Sequence, residues 1–208
     1  MTRYLSAITC LALLNLATII CCAQSIRKDK LYTVSGIGTA IPLGQSSDFL
    51  APKISTTLGA NLGIGQGGLF LYPKFNLHAF SYSAIFPDNA GTYAIQTGRA
   101  STYLLNMALG YRKFTGKFAY YAYVGAGGGY ILTPMARVNN ANQQVNLKNK
   151  THGMPMAELG AGIELNLGGL ALFTEMSYMN GFKNIQDRNF TTLPLTFGIK
   201  PNLSKLFH

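Results

Sequence analysis

Hydrophobic and polar residues alternate along most of the chain after residue 30. In residues 54–64, Leu58 and Leu62 fall on one parity, and Thr57 and Asn61 fall on the other. Because successive side chains of a strand point to opposite faces, this pattern predicts strands with one apolar face. Eight segments show it, and the first is ambiguous about which face is apolar: 31–41, 54–64, 69–82, 101–113, 117–132, 154–165, 170–180 and 191–201.

The connections between these segments alternate in length. Residues 65–68, 115–116 and 166–169 are short and rich in glycine, whereas 83–100 and 133–153 are long and polar, as is 181–190. We interpret the short ones as tight turns and the long ones as loops. Alternating short and long connections are typical of an antiparallel meander inserted from one side of a membrane. The sequence therefore predicts an all-β, eight-stranded, antiparallel up-and-down transmembrane β-barrel.

The few charges in the strands decide which solvent surrounds the apolar face. Charged residues make up only 12% of the chain. A soluble, ligand-carrying barrel would hide its apolar face and need several charges per strand on its wet exterior. The strand charges instead fall on the less apolar face, at about one per strand. Unpaired buried charge is costly, so we expect these charges to meet inside the barrel: Lys74, Arg112, Glu158, Glu164, Glu175 and Lys200.

The first 23 residues have the features of a secretory signal peptide. Arg3 supplies a positive start, residues 8–22 are mostly apolar, and Ala23 precedes Gln24. All three cysteines of the chain lie in this leader, so the exported domain, residues 24–208, has neither disulfides nor thiolate chemistry. The net charge of +10 favours anionic lipid headgroups over nucleic acid as the partner of an exported chain.

Tyrosines recur near the ends of the segments. Such residues often form girdles at the headgroups of a membrane barrel. We expect a girdle to be formed by Tyr32, Tyr72, Tyr82, Tyr103, Tyr111, Tyr130 and Tyr178.

Over residues 30–203 the chain resembles a family. The eight alternating segments, the leader ending Cys22-Ala23-Gln24 and the last strand (residues 195–203) are similar to the small outer-membrane β-barrels of the OmpA/OmpX type. The glutamine after the leader is similar to the leaders of exported Bacteroidetes proteins, and among their barrels the chain resembles the PorT-like family. The resemblance implies a Gram-negative outer membrane, with both termini in the periplasm. No peptidoglycan-binding domain follows the barrel, so a role in tethering the cell wall is not implied.

Motifs for catalysis or cofactor binding carry little weight here. Residues 63–68 fit the dinucleotide pattern GxGxxG, but a strand follows where that pattern needs a helix, so we interpret them as a tight turn. His78, His152 and His208 are far apart and no motif joins them, so we expect no metal site. Ser81 lies close to His78 in sequence, yet a catalytic arrangement depends on tertiary geometry. We expect no cofactor.

The leading interpretation is a structural or surface-interaction protein without catalysis. Its partners would be outer-membrane lipid and surface or envelope proteins. A narrow pore tuned by the interior charges, a lipid-modifying outer-membrane enzyme and a soluble periplasmic carrier are the alternatives.

Overall fold

The fold is known from a computed structural model, which describes residues 31–88, 91–139, 144–185 and 188–206. The leader, residues 1–23, and Gln24 lie outside the described residues, as does His208. Eight strands follow one another: β1 (Leu31–Pro42), β2 (Leu50–Ile64), β3 (Leu69–Asp88), β4 (Gly91–Thr115), β5 (Phe118–Asn139), β6 (Gln144–Asn166), β7 (Leu170–Ile185) and β8 (Arg188–Pro201). A 3-10 turn (Gly44–Asp48) precedes β2, and a four-residue helix α1 (Leu203–Leu206) follows β8.

The strands form one closed antiparallel barrel in which each strand pairs with its neighbours in the sequence. Pairing of β1 with β8, from Ser35 opposite Ile199 to Pro42 opposite Thr192, completes the circle. The eight-stranded up-and-down barrel predicted from the alternation is therefore confirmed. Closure removes the unpaired edges that an open sheet would expose.

Alternation along the strands separates two environments. On β4, Tyr103, Leu105 and Met107 are exposed, while Leu104 and Asn106 between them are buried. The ambiguous first strand follows the same rule, with Val34 turned inward and Ile37 outward. The apolar face thus lies outside, and the face with the polar residues lines the bore.

The long connections are not loops. Pairing between β3 and β4 continues to Asp88 opposite Gly91, and pairing between β5 and β6 continues to Asn139 opposite Gln144. The expectation of loops over 83–100 and 133–153 is wrong, because these segments extend the strands into long hairpins. Paired strands need only backbone hydrogen bonds, so polar sequences without clean alternation still form them. Residues 181–190 likewise extend two strands, because β7 continues to Ile185 and β8 begins at Arg188.

The short connections are tight turns, as predicted. Residues 65–68 reverse the chain between β2 and β3, and Gly65 (φ 61°) and Gly68 (φ 87°) have left-handed backbone conformations there. Glycine adopts these conformations without the steric cost that other residues meet. The GxGxxG segment is a turn, and β3 follows it. Among the described residues, the helices fall short of the length and apolar character that a membrane-spanning helix needs.

The connection between β1 and β2 is pinned onto β8 at the hairpin end of the barrel. The buried hydroxyl of Ser46 accepts a hydrogen bond from the Thr191 N–H (2.7 Å) and donates one to the Asn189 carbonyl (2.9 Å). The side-chain oxygen of Gln45 accepts from the Asn189 N–H (3.0 Å). The following Phe49 packs edge-to-face on Tyr82, with ring centroids 6.2 Å apart. This connection therefore packs against the hairpin end of the barrel.

Replacing Ser46 by alanine should loosen this contact. Ser46→Ala removes two hydrogen bonds and leaves the Thr191 N–H without its acceptor, so we expect a loss of about 1–3 kcal/mol in the free energy of unfolding. Urea unfolding of the refolded protein in micelles measures it. Ser47→Ala is the matched control, because the exposed Ser47 hydroxyl bonds only the nearby Gly44 carbonyl. Equal unfolding midpoints for both variants and the wild type would contradict the assignment.

Candidate functional site: the charged interior of the barrel

All six charged residues singled out in the sequence lie inside the barrel and are buried. They come from five different strands, because the inward parity of each strand selects them: Lys74 on β3, Arg112 on β4, Glu158 and Glu164 on β6, Glu175 on β7 and Lys200 on β8. They gather in the half of the bore near the tight turns and the chain ends.

The first group of three charges is centred on Lys74. Its ammonium group forms ion pairs with Glu158 and with Glu175, the latter at 3.3 Å. It also donates a hydrogen bond to the Tyr123 hydroxyl (2.7 Å). Tyr123 in turn donates to Oε1 of Glu175 (2.7 Å). One cation thus faces two carboxylates, and a tyrosine joins it to Glu175.

The second group has the opposite balance. The carboxylate of Glu164 accepts a hydrogen bond from Lys200 (2.6 Å) and forms an ion pair with Arg112 (3.1 Å). Arg112 also donates a hydrogen bond to the side-chain oxygen of Asn61. Two cations thus share one carboxylate.

Tyr121 joins the two groups. The Lys200 ammonium lies 4.0 Å from the centre of the Tyr121 ring, while the Tyr121 hydroxyl donates to Oε2 of Glu175 (2.8 Å). The ring face attracts the cation and the hydroxyl binds the anion. The six charges therefore form one network with no net charge, which is the condition for burying them without a large uncompensated cost.

Glycines on the neighbouring strand make room for the two tyrosines. In the β5–β6 register Tyr121 lies opposite Gly162 and Tyr123 opposite Gly160. A Cβ atom at either glycine would overlap the facing tyrosine ring. The alternation of polar and apolar residues did not identify these tyrosines as members of the network. Inward tyrosines on β5 opposite an inward Glu-Gly-Gly-Glu series on β6 are the signal that points to them.

From the charges towards the hairpins, the side chains that line the bore are first polar but uncharged and then apolar. Asn106 donates to Oε2 of Glu158 (2.8 Å), and the Ser55 hydroxyl lies 2.7 Å from Nδ1 of His78. Beyond them, towards the hairpins, is a cluster of buried apolar side chains that includes Phe80, Leu104, Ile131, Met154, Met156, Met179 and Phe190. The bore is thus filled by a charged tier and an apolar tier.

The other residues considered for catalysis or metal binding, the histidines and Ser81, do not come together at one site. His78 pairs with Ser55 rather than with Ser81, which lies on the opposite parity of β3. His152 lies on β6, in the part that extends towards the hairpin. Within the part of the chain that the structure describes, no three His, Cys, Asp or Glu side chains are grouped so as to hold a metal ion.

The outer wall is apolar over a wide band. Leu105 is 66% exposed and Val124 is 61% exposed. On β4 this band is flanked by the exposed Tyr103 and Tyr111, which are eight residues and roughly 26 Å apart along the strand. On β5, the exposed Tyr120 and Tyr130 flank it in the same way.

The expected tyrosine girdle is therefore correct only in part. Tyr103, Tyr111, Tyr130 and Tyr178 do point outward. The placement of Tyr32, Tyr72 and Tyr82 in the girdle is wrong, because these three side chains are buried inside. Their parity sends them into the bore, where their rings pack against other interior groups.

No protein-family model and no curated protein sequence matches the chain. Among solved structures, it is similar to Neisserial surface protein A (NspA), with a TM-score of 0.59 and 11% identity, over 83% of this chain and 96% of that one. It is also matched to Ail, the attachment invasion locus protein of Yersinia pestis, with a TM-score of 0.43 and 13% identity, over 82% and 99% of the two chains.

A third match is the N-terminal β-barrel domain of Pseudomonas aeruginosa OprF, with a TM-score of 0.40 and 12% identity, over 83% of this chain and 98% of that one. The similarity to NspA shows a shared fold, the closed eight-stranded barrel.

Removing Lys74 should destabilise the barrel strongly. Lys74→Met leaves Glu158 and Glu175 facing each other without their cation, and breaking a buried ion pair in this way costs about 3–5 kcal/mol. We expect a much lower urea midpoint for the protein folded in vesicles. Lys113→Met, at an exposed position of β4, serves as the control and should unfold like the wild type. Unfolding of Lys74→Met at the wild-type midpoint would show that the network contributes nothing.

Proposed function

We propose that the protein is an integral outer-membrane β-barrel protein with a structural or surface-interaction role and no catalysis. The single observation that carries the proposal is the apolar outer wall. Exposed Leu, Ile, Val, Phe and Met side chains surround the barrel, while the six charges of the interior network are turned inward. A surface of this kind is stable in hydrocarbon and unstable in water.

The dimensions of the wall support the same proposal. Membrane barrels have an apolar band about 25 Å tall, with aromatic residues at both edges. At a strand tilt of about 35–45°, the stretch from Tyr120 to Tyr130 on β5 rises roughly 23–27 Å, which matches this band. The shorter stretch from Tyr103 to Tyr111 on β4 rises roughly 19–22 Å and lies within it. A soluble carrier would have the reverse arrangement, with an apolar lumen and a charged exterior.

The filled interior favours a scaffold over a narrow pore. Two tiers of side chains occupy the bore, and the buried rings of Phe80 and Phe190 pack edge-to-face at its hairpin end (6.3 Å between centroids). Eight strands leave only enough room for side chains. In this proposal the barrel holds its long hairpins at the cell surface, where they contact surface or envelope proteins.

The finer assignments belong to the same proposal. Both chain ends of the barrel lie at the end with the tight turns, so a leader-directed chain inserted from the periplasm would leave its termini there. The sequence Cys22-Ala23-Gln24 and the eight-segment pattern are the grounds for assigning the protein to the PorT-like barrels of Bacteroidetes. Outer-membrane lipid would surround it, and nucleic acid has no part in this role.

Fractionation tests the location directly. We expect the protein in the outer-membrane fraction, extracted only by detergent, and migrating differently on a gel before and after boiling, because a closed barrel resists unfolding by the gel detergent. Recovery from the periplasm without detergent would refute the proposal. Analysis of lipid A from a deletion strain tests the enzyme alternative, and unchanged lipid A is expected.

An arginine in the middle of the outer wall should distinguish membrane from water. Val124→Arg puts a charge at the centre of the apolar band, and such a charge costs about 2–4 kcal/mol in a membrane barrel. Folding into vesicles should be weakened to that extent. The control is Thr115→Arg, at the exposed end of β4, where the cost should be close to zero. In a soluble barrel, both substitutions would be harmless.

The packed interior predicts that the protein does not conduct. In planar bilayers we expect no steady single-channel current from the wild type, since both tiers of side chains block the bore. Steady conductance that changes in Glu158→Gln would instead support the narrow pore.

A further inference from the structure

Strands β4 and β5 separate from each other towards the hairpin end of the barrel, and we call the point of separation the fork. Their pairing ends at Ser101 opposite Leu132. Above this point β4 continues with β3 and β5 continues with β6, each as a separate hairpin. A cavity of about 570 Å³ lies at the fork, and its lining includes Arg99, Ser101, Pro134, Lys148 and Asn149.

Among the side chains that the structure describes, the cations at the fork have no acidic partner. Of the seven acidic residues of the chain, three are in the interior network and Asp48 pairs with Arg188. No ion pair joins Arg99 or Lys148 to any side chain that the structure describes. Both side chains are exposed. The fork therefore presents two exposed positive charges, without an ion pair to any described acid, beside polar Ser101 and Asn149.

A second, mostly apolar cavity of about 590 Å³ adjoins the first on the outer wall. Tyr103 lines both cavities. The second one extends along Leu105, Gly128, Tyr130 and Pro155, within the apolar band, and the exposed Lys183 lines it as well. A ligand lying across both would thus have an anionic end at the fork and an apolar end against the wall.

We propose that these adjoining cavities bind one phosphate-bearing lipid of the surrounding membrane. Its phosphate lies between Arg99 and Lys148, and one acyl chain lies in the groove beside Tyr103 and Gly128. Basic side chains at the border of an apolar wall bind anionic headgroups in this way. The inference rests on the proposed membrane location, because only a bilayer offers such a lipid to the outer wall.

The headgroup contact is tested with Arg99→Gln/Lys148→Gln. Native mass spectrometry of the full chain, folded in a neutral detergent, measures retention of dioleoyl phosphatidic acid and of dioleoyl phosphatidylcholine. The wild type should prefer phosphatidic acid, and the double variant should bind it on the order of 30-fold more weakly, given what each cation contributes beside anionic lipid. Lys113→Gln/Lys117→Gln, with two exposed cations at the turn end, should bind like the wild type.

The acyl-chain contact is tested with Gly153→Leu. Gly153 lines the groove, and a Cβ atom there meets no atom within 4 Å, so leucine fits and occupies the space. Phosphatidic acid retention should fall about tenfold if the chain loses contact for two methylene groups. Gly169→Leu, equally open but in the turn before β7, is the matched control.

The outcomes separate this inference from the proposed function. If the protein folds into vesicles and yet the wild type and the double variant retain phosphatidic acid equally, the lipid site is refuted and the membrane protein is not. Displacement by millimolar inorganic phosphate, or full retention by Gly153→Leu, would indicate a free-anion site and also overturn the inference. Failure of the wild type to enter vesicles refutes the proposed function itself.

Discussion

Closure of the sheet through β1 and β8 turns one face of every strand into a bore that only side chains can fill. Any charge on that face is cut off from water, so it needs a partner inside the same narrow space. The interior meets this condition with three carboxylates and three cations drawn from five strands. Because the charges are satisfied inside, the outer wall can consist of apolar side chains. The composition of both faces follows from this one constraint.

Packing inside the bore depends on pairs of large and small residues in register. Four inward aromatic rings each lie opposite a glycine of the neighbouring strand: Phe70 opposite Gly110, Tyr121 opposite Gly162, Tyr123 opposite Gly160 and Phe173 opposite Gly198. A Cβ atom at any of these glycines would overlap or crowd the ring. In these four pairs the glycines accommodate rings, and two of the rings then position the charges.

The two halves of the barrel have different roles. The half near the turns contains the charged network and the chain ends, and it is locked by buried contacts. The half near the hairpins has an apolar interior, a pinned 3-10 turn and strands that extend past the last shared pairing. Features that face the surroundings, the fork and its cations among them, belong to this second half.

Alternation and the scarcity of charge were sufficient to predict the eight strands, their order and, in all but the first strand, which face is apolar, because a period of two is a local property of the chain. The same parity identified Lys74 and Glu175 as inward residues. Which cation meets which carboxylate was decided by the barrel, since these residues lie up to 101 positions apart in the sequence. The register between strands decided that Tyr121 and Tyr123 belong to the network, whereas Tyr72 lies inside because it shares the parity of Lys74 on β3. The long hairpins, too, required tertiary structure, because backbone pairing leaves little trace in a polar sequence.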